Sequence, residues 1–181
     1  MKKLLTYAAL LSASIILFSC GGGKKNDPAP EPVGESSWKL GSYTYTRGAS
    51  AQTNKDGKAG MVVTTSGDGG NHGAYSGSAL TIIFNNRGPG KYTLSTTAIM
   101  SANPTAALMA LNCSIGTAVT TGSVLYSAPV NQSTTADVSI DAQGQYHVKI
   151  SSPVNVVKKL ILGGGIPGAP ETTSLTIKDA F

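Results

Sequence analysis

The chain has 181 residues, 40% of them hydrophobic, with 14 Lys or Arg, nine Asp or Glu and a formal net charge of +5. From Ser37 to Phe181 the balance is ten Lys or Arg against six Asp or Glu. That mild excess is scattered along the chain, whereas nucleic-acid binding needs basic side chains clustered on one face, so no nucleic-acid partner is expected.

The first element is an export signal. Met1-Lys2-Lys3 is a basic start, and Leu4 to Phe18 is an apolar run of the length of a secretory core. It falls short of the ~20 residues a spanning helix needs. Leu17-Phe18-Ser19-Cys20 then resembles the lipobox of bacterial lipoproteins. The resemblance implies that residues 1–19 are a signal peptide removed before Cys20. It also implies that Cys20 is lipidated and ties the mature chain to a membrane. Two or more acyl chains hold a protein stably where a single one binds only reversibly.

Residues 20–37 follow as the lipidated cysteine and a tether, Gly21 to Ser37 reading GGGKKNDPAPEPVGESS. The tether has almost no apolar side chains, and Pro28, Pro30 and Pro32 favour extended geometry. At about 3.1 Å per residue where polyproline-like, it reaches on the order of 50 Å. Lys25-Asn26-Asp27 resembles the charged signal that sends some Bacteroidota lipoproteins to the cell surface. The expected location is the outer membrane, with the outward face favoured.

Residues 38–181 read as a single β-domain. Thr, Ser, Val, Tyr and Ile are abundant, and Gly, Asn and Pro interrupt them at short intervals. The expected fold is all-β, an antiparallel sandwich or barrel of about 8–10 short strands. The strands expected are 38–46, 60–65, 79–85, 91–100, 108–115, 119–127, 136–141, 145–151, 154–162 and 174–178, with a short helical turn near 103–107. Leu80, Ile82 and Phe84 are expected to pair through Gly88-Pro89-Gly90 with Tyr92 and Leu94 as a hairpin. A second hairpin joins Val138 and Ile140 to Tyr146, Val148 and Ile150 through Asp141-Ala142-Gln143-Gly144. These residues, with Leu111 and Cys113, are expected to face inward. Gln145, His147 and Lys149 then face solvent.

Strand Trp38, the run Ala79-Leu80-Thr81-Ile82-Ile83-Phe84 and Gly88-Pro89-Gly90-Lys91-Tyr92-Thr93-Leu94 follow the lipobox and tether in order. This arrangement resembles the small β-rich lipoproteins of the Bacteroidota type, some with lipocalin- or calycin-like domains. The resemblance implies fold and address and carries no catalytic residue with it.

Sequence motifs for chemistry are sparse. Gly163-Gly164-Gly165-Ile166-Pro167-Gly168 fits a dinucleotide string, but Pro167 and Pro170 fall where its helix would have to run. It reads as a loop, and no cofactor is expected. Gly67-Asp68-Gly69-Gly70-Asn71-His72-Gly73 has one carboxylate, too few for a calcium site, and reads as a turn. His72 and His147 lack a third zinc ligand at useful spacing, so no metal is expected. With Cys20 acylated, Cys113 has no disulfide partner, and its apolar neighbours make it a buried thiol. No nucleophile elbow exists, and no catalytic residue is assigned.

Binding is the stronger class. Sugar-binding surfaces present aromatic faces, and Trp38, Tyr43, Tyr45 and Tyr75 are the candidates for one. The leading expectation is a lipid-anchored, non-catalytic β-domain that meets a carbohydrate or an envelope protein. One alternative is a calycin-like carrier of a small apolar ligand, which needs an apolar interior cavity. The other is a hydrolase using two of Asp56, Asp68, Asp137, Asp141, Glu171 and Asp179. A closed, filled core leaves the binding module.

Overall fold

Alternating apolar and polar side chains can bury one face of a strand, and most of this domain is written in that pattern. The computed structural model describes residues 36–65, 78–116, 122–130 and 133–181, all of them within the unit Gly34–Phe181. Residues 1–35, with Cys20 and the tether up to Glu35, lie outside the described residues, as do Tyr75 and the loop at 67–73.

The described residues are all-β with one short helix. Their strands are β1 (Ser37–Leu40), β2 (Tyr43–Thr46), β3 (Ala49–Lys55), β4 (Lys58–Thr64), β5 (Ser78–Asn85), β6 (Gly90–Leu94), β7 (Leu108–Ile115), β8 (Ser123–Ser127), β9 (Thr135–Ile140), β10 (Tyr146–Leu162) and β11 (Thr172–Ala180). Helix α1 (Thr97–Ala102) lies between β6 and β7. Strands β6, β7, β8, β10 and β9 pair in a closed ring of five. Strands β5, β4 and β3 extend it from β7, and β11, β1 and β2 extend it from β10. Every pair is antiparallel except β6 with β7.

The inward faces meet in one core. Leu80, Ile82 and Phe84 from β5, Leu111 and Cys113 from β7, Val148 and Ile150 from β10, and Leu175 and Ile177 from β11 are all buried. Phe84 packs edge-on against Tyr92 at 5.3 Å and Tyr146 at 5.2 Å between ring centroids. Burial pushes the Cys113 thiol up to about 12, against a smaller opposing effect of the neighbouring Trp38 indole. The inward register is as expected except at Ile140, which is 40% exposed at the end of β9. Tyr146 is partly buried, its hydroxyl accepting from Asn86 Nδ2 at 2.7 Å.

The second hairpin forms, with Tyr146 opposite Ile140 and Val148 opposite Val138. The first does not. Strand β5 pairs with β4 and β7, whereas β6 pairs with β9 and β7. Gly88-Pro89-Gly90 carries the chain across from one layer to the other. Gly88 at φ +80 permits the change of direction. Tyr92 then fixes the corner, its hydroxyl accepting from Arg87 N at 3.0 Å and donating to Gly88 O at 2.7 Å.

Other boundaries shift for local reasons. The expected strand 38–46 folds back at Gly41 into β1 and β2. Strand 91–100 stops at Leu94, because Thr96 caps α1 by accepting from Ile99 N at 3.4 Å. The expected strands 145–151 and 154–162 are one strand, β10, running through Pro153. Its register with β11 slips between Ile150 and Val154, a bulge that spares Pro153 from donating to the ladder. Strand β3, absent from the expected set, is a polar edge strand paired to β4 across Asp56-Gly57.

Two measurements check this packing. Asn85 is buried and its Nδ2 donates to Asn103 O at 2.9 Å, Ala106 O at 3.0 Å and Met100 O at 3.4 Å, tying α1 and its exit to β5. Asn85→Leu removes these bonds while each carbonyl keeps a backbone donor, and it should cost about 0.5–1.5 kcal/mol in chemical denaturation; a neutral substitution contradicts the role. In a Cys20→Ala chain, Cys113 should resist thiol reagents until unfolding, and rapid native labelling would contradict its burial.

Candidate functional site

With the inner faces packed together, chemistry has to sit on the outer ones. An open groove of about 460 Å³ lies over β9, β10 and β11, lined by Asp137, Val138, Ser139, His147, Lys149, Lys178 and Asp179. Register builds it. His147 lies opposite Ser139, and Lys149 lies opposite Asp137, so one outward row from each strand meets the next. His147 and Lys149 point away from the core as the alternation predicts.

A bulge in β11 completes the row. Ile150 pairs with Ile177 and Val148 with Ala180, so two residues of β10 span three of β11. The partner on the other side records the same insertion, since Trp38 pairs with Ile177 and Ser37 with Asp179. Strict alternation after Leu175 and Ile177 would turn Asp179 inward. The extra residue instead places both Lys178 and Asp179 on the groove, and Ala180 takes the buried position. This break in alternation is present in the sequence and is the signal that reasoning from hairpins missed.

His147 is the hub of the groove. Its Nδ1 lies 3.0 Å from Asp179 Oδ2, and its Nε2 lies 3.3 Å from Asp141 Oδ2. The imidazole stacks on Phe181 at 4.6 Å, and the Arg47 guanidinium covers that ring at 4.0 Å from its centroid. Arg47 also donates to the Phe181 carbonyl at 3.2 Å. Phe181 is therefore held between two cationic or potentially cationic planes. Asp141 also serves the β9–β10 turn, accepting from Gln143 N at 2.9 Å and Gln145 N at 2.8 Å. The Gln145 amide, with help from His147 and Gln143, holds the Asp141 carboxyl below its ordinary value.

Ser139, His147 and Asp179 are the residue types of a hydrolytic triad, and they adjoin. The geometry is a different one. In a triad the second ring nitrogen takes the proton of the hydroxyl, whereas here it faces Asp141. With a carboxylate at each nitrogen, the ring links strands through hydrogen-bond contacts, and neither nitrogen faces the Ser139 hydroxyl. Among the described residues, no group of three His, Cys, Asp or Glu is arranged to hold a metal ion. Asp137 bonds Lys91 at 2.8 Å and Glu171 bonds Lys158 at 2.7 Å, so these two acids sit in separate surface ion pairs. Asp68 lies outside the described residues.

Of the expected aromatic platform, Trp38 and Tyr45 belong to the core and Tyr43 to the surface. Trp38 and Tyr45 are 1% and 2% exposed, directly paired across β1 and β2 and stacked at 5.7 Å in the core. Low aromatic content is the reason: a core this size draws in most of the bulky rings the chain has. Tyr43 points the other way and is 38% exposed. It lines a cleft of about 130 Å³ with Leu40, Tyr126 and Pro170. Tyr75 lies outside the described residues. A further open groove of about 380 Å³ runs along Thr96, Asn112, Ser127 and Lys159. The stretch Gly163–Gly168 is a loop between β10 and β11, as expected. Gly122 lets the β8 entry approach this loop closely, since a side chain there would meet the Gly165 carbonyl.

Asp141 gives the site a pH signature. Because its folded value lies below the ordinary 3.8, it stabilises the fold above that pH, and the contribution is lost as pH falls through the folded value. Asp141→Asn keeps an acceptor oxygen but no charge. It should flatten the fall of Tm below about pH 4, and an unchanged acid limb would contradict the assignment.

Comparison with models of protein families, with curated proteins and with solved structures finds no match to this chain.

Proposed function

We propose that the chain is a lipid-anchored lipoprotein of the bacterial outer membrane whose β-domain binds a ligand or envelope component without catalysing a reaction. The observation that carries the binding reading is the pairing of a filled core with an open, charged groove on the outer sheet. The inner faces are occupied by Trp38, Phe84, Tyr92, Tyr126 and Met61, all at most 1% exposed. Large rings at these positions favour recognition on the surface over carriage of an apolar ligand inside. The occupied nitrogens of His147 favour binding over hydrolysis.

The anchor reading rests on Leu17-Phe18-Ser19-Cys20 and the tether behind it. Among the described residues no helix is long and apolar enough to cross a membrane. Attachment through Cys20 supplies membrane contact without one, and the tether gives the domain reach toward a neighbouring protein or polymer.

Cys20→Ala tests the anchor. The parent chain should take up labelled fatty acid and fractionate with membranes, and the variant should lose the label and be released or left unprocessed. Acylation that persists in the variant contradicts the lipobox. Protease added to intact cells should digest the domain, and full protection would place it on the periplasmic side.

A further inference from the structure

The charges around the β9–β11 groove do not cancel residue by residue. Asp137 pairs with Lys91 at 2.8 Å, and Asp179 is engaged by the His147 imidazole at 3.0 Å. Among the described residues, neither Lys149 nor Lys178 has a carboxylate within ion-pair distance. The two lysines face one groove, Lys149 from β10 and Lys178 from the bulge of β11 beside it. Both are exposed. Their charge is the part of this surface left unanswered.

We infer that this groove binds a sugar acid, with Lys149 and Lys178 holding its carboxylate while Ser139, Asp137 and Asp179 engage its hydroxyls. The inference rests on the binding reading above and names the ligand class for it. Its volume of about 460 Å³ lies within the range of small-ligand sites. Lysine ammonium groups make charge-assisted bonds to carboxylate oxygens. The aspartates accept from hydroxyls, and the Ser139 hydroxyl can donate or accept. A ligand of anionic groups alone would offer Asp137 and Asp179 no hydroxyl to accept from. A neutral sugar would leave both lysines uncompensated. A polyhydroxylated ligand with one carboxylate per unit answers both sets of groups, which is the chemistry of a uronate-bearing glycan.

The bulge gives the arrangement its structural basis. An uninterrupted β11 would have set Lys178 and Asp179 on opposite faces. Bulges re-aim side chains in this way at the cost of an interrupted ladder. Here the interruption puts a cation and an acceptor side by side in the groove.

Calorimetric titration of the detergent-solubilised full-length lipoprotein tests the inference, with tetragalacturonate, its methyl ester and inorganic phosphate as probes. Saturable binding of the acid is expected, weakening with added salt. The methyl ester, Lys149→Ala and Lys178→Ala should each bind or be bound about tenfold more weakly. Lys55→Ala, on the edge strand β3, should bind as the parent does. The lysine variants should keep the parental Tm, so that a loss of binding reports the site and not the fold. Equal binding of the ester, or lysine variants of parental affinity, would overturn the acid-specific site while leaving the binding reading standing. Phosphate that competes as well as the glycan would reduce the groove to a plain anion site and overturn the sugar assignment. No saturable binding by any probe would overturn the inference outright, and the anchor is judged separately by acylation.

Discussion

The 17 residues of β10 serve two neighbours on one edge in succession, β9 along Tyr146–Lys149 and β8 along Val157–Leu162, while β11 takes the opposite edge from Val148 to Val157. No straight, flat strand does this in a small domain, because sheet twist would carry β8 and β9 apart. The bulge at Ser151–Pro153 bends β10 where the change of partner occurs, and Pro153 falls where the ladder is already interrupted. Once β10 turns, β8 can reach β7, and the ring of β6, β7, β8, β10 and β9 closes. Closure removes sheet edges inside the ring, and the remaining edges are the short β2 and the polar β3.

Closure also decides where function can be. A ring of five strands leaves an interior that side chains fill, and its strands contribute Tyr92, Leu111 and Val148 to the buried core. The proposed recognition site then falls on the outer face where β9, β10 and β11 run side by side. The bulge in β11 then sets the local chemistry by bringing Lys178 beside Asp179. His147 cross-links the same three elements, bonding Asp179 on β11 and Asp141 at the turn from β9. The groove is thus braced by the contacts of His147 with two carboxylates, and two exposed lysines line it. An exposed pair such as Lys91–Asp137 contributes little to stability, so its consequence here lies in charge balance.

Much of the fold was legible in the chain. Alternation in β5, β7 and β10 identified the buried set because strand period is two and one face of each strand is dry. The Asp141–Gly144 turn was legible because a short turn joins neighbours in space. The link through Gly88-Pro89-Gly90 was not, because the same residues serve a hairpin and a crossover, and what separates them is that β6 pairs with β9 and β7 and not with β5. Strand β3 escaped because a polar edge strand has no dry face to betray it, although Asp56 and Gly57, both at positive φ, carry a hairpin turn's signature. In the candidate site, the outward face of His147 and Lys149 was readable from period alone. Its meeting with Asp179 and Lys178 was not, since it depends on an inserted residue and a pairing some 30 positions away. Trp38 and Tyr45 show the converse: an aromatic in sequence does not say which face it takes, and here the core took both.

The central claim is that a closed ring leaves no apolar chamber inside and puts recognition outside. Trp38 is the one tryptophan of the chain, and it lies in the core at 1% exposure, so its fluorescence reports on the interior alone. Titration of the native protein with laurate, an apolar ligand sized for a carrier, should give no saturable change in Trp38 emission and no change in its resistance to iodide. Saturable binding that shifts Trp38 emission would reveal a chamber within the ring and contradict the account.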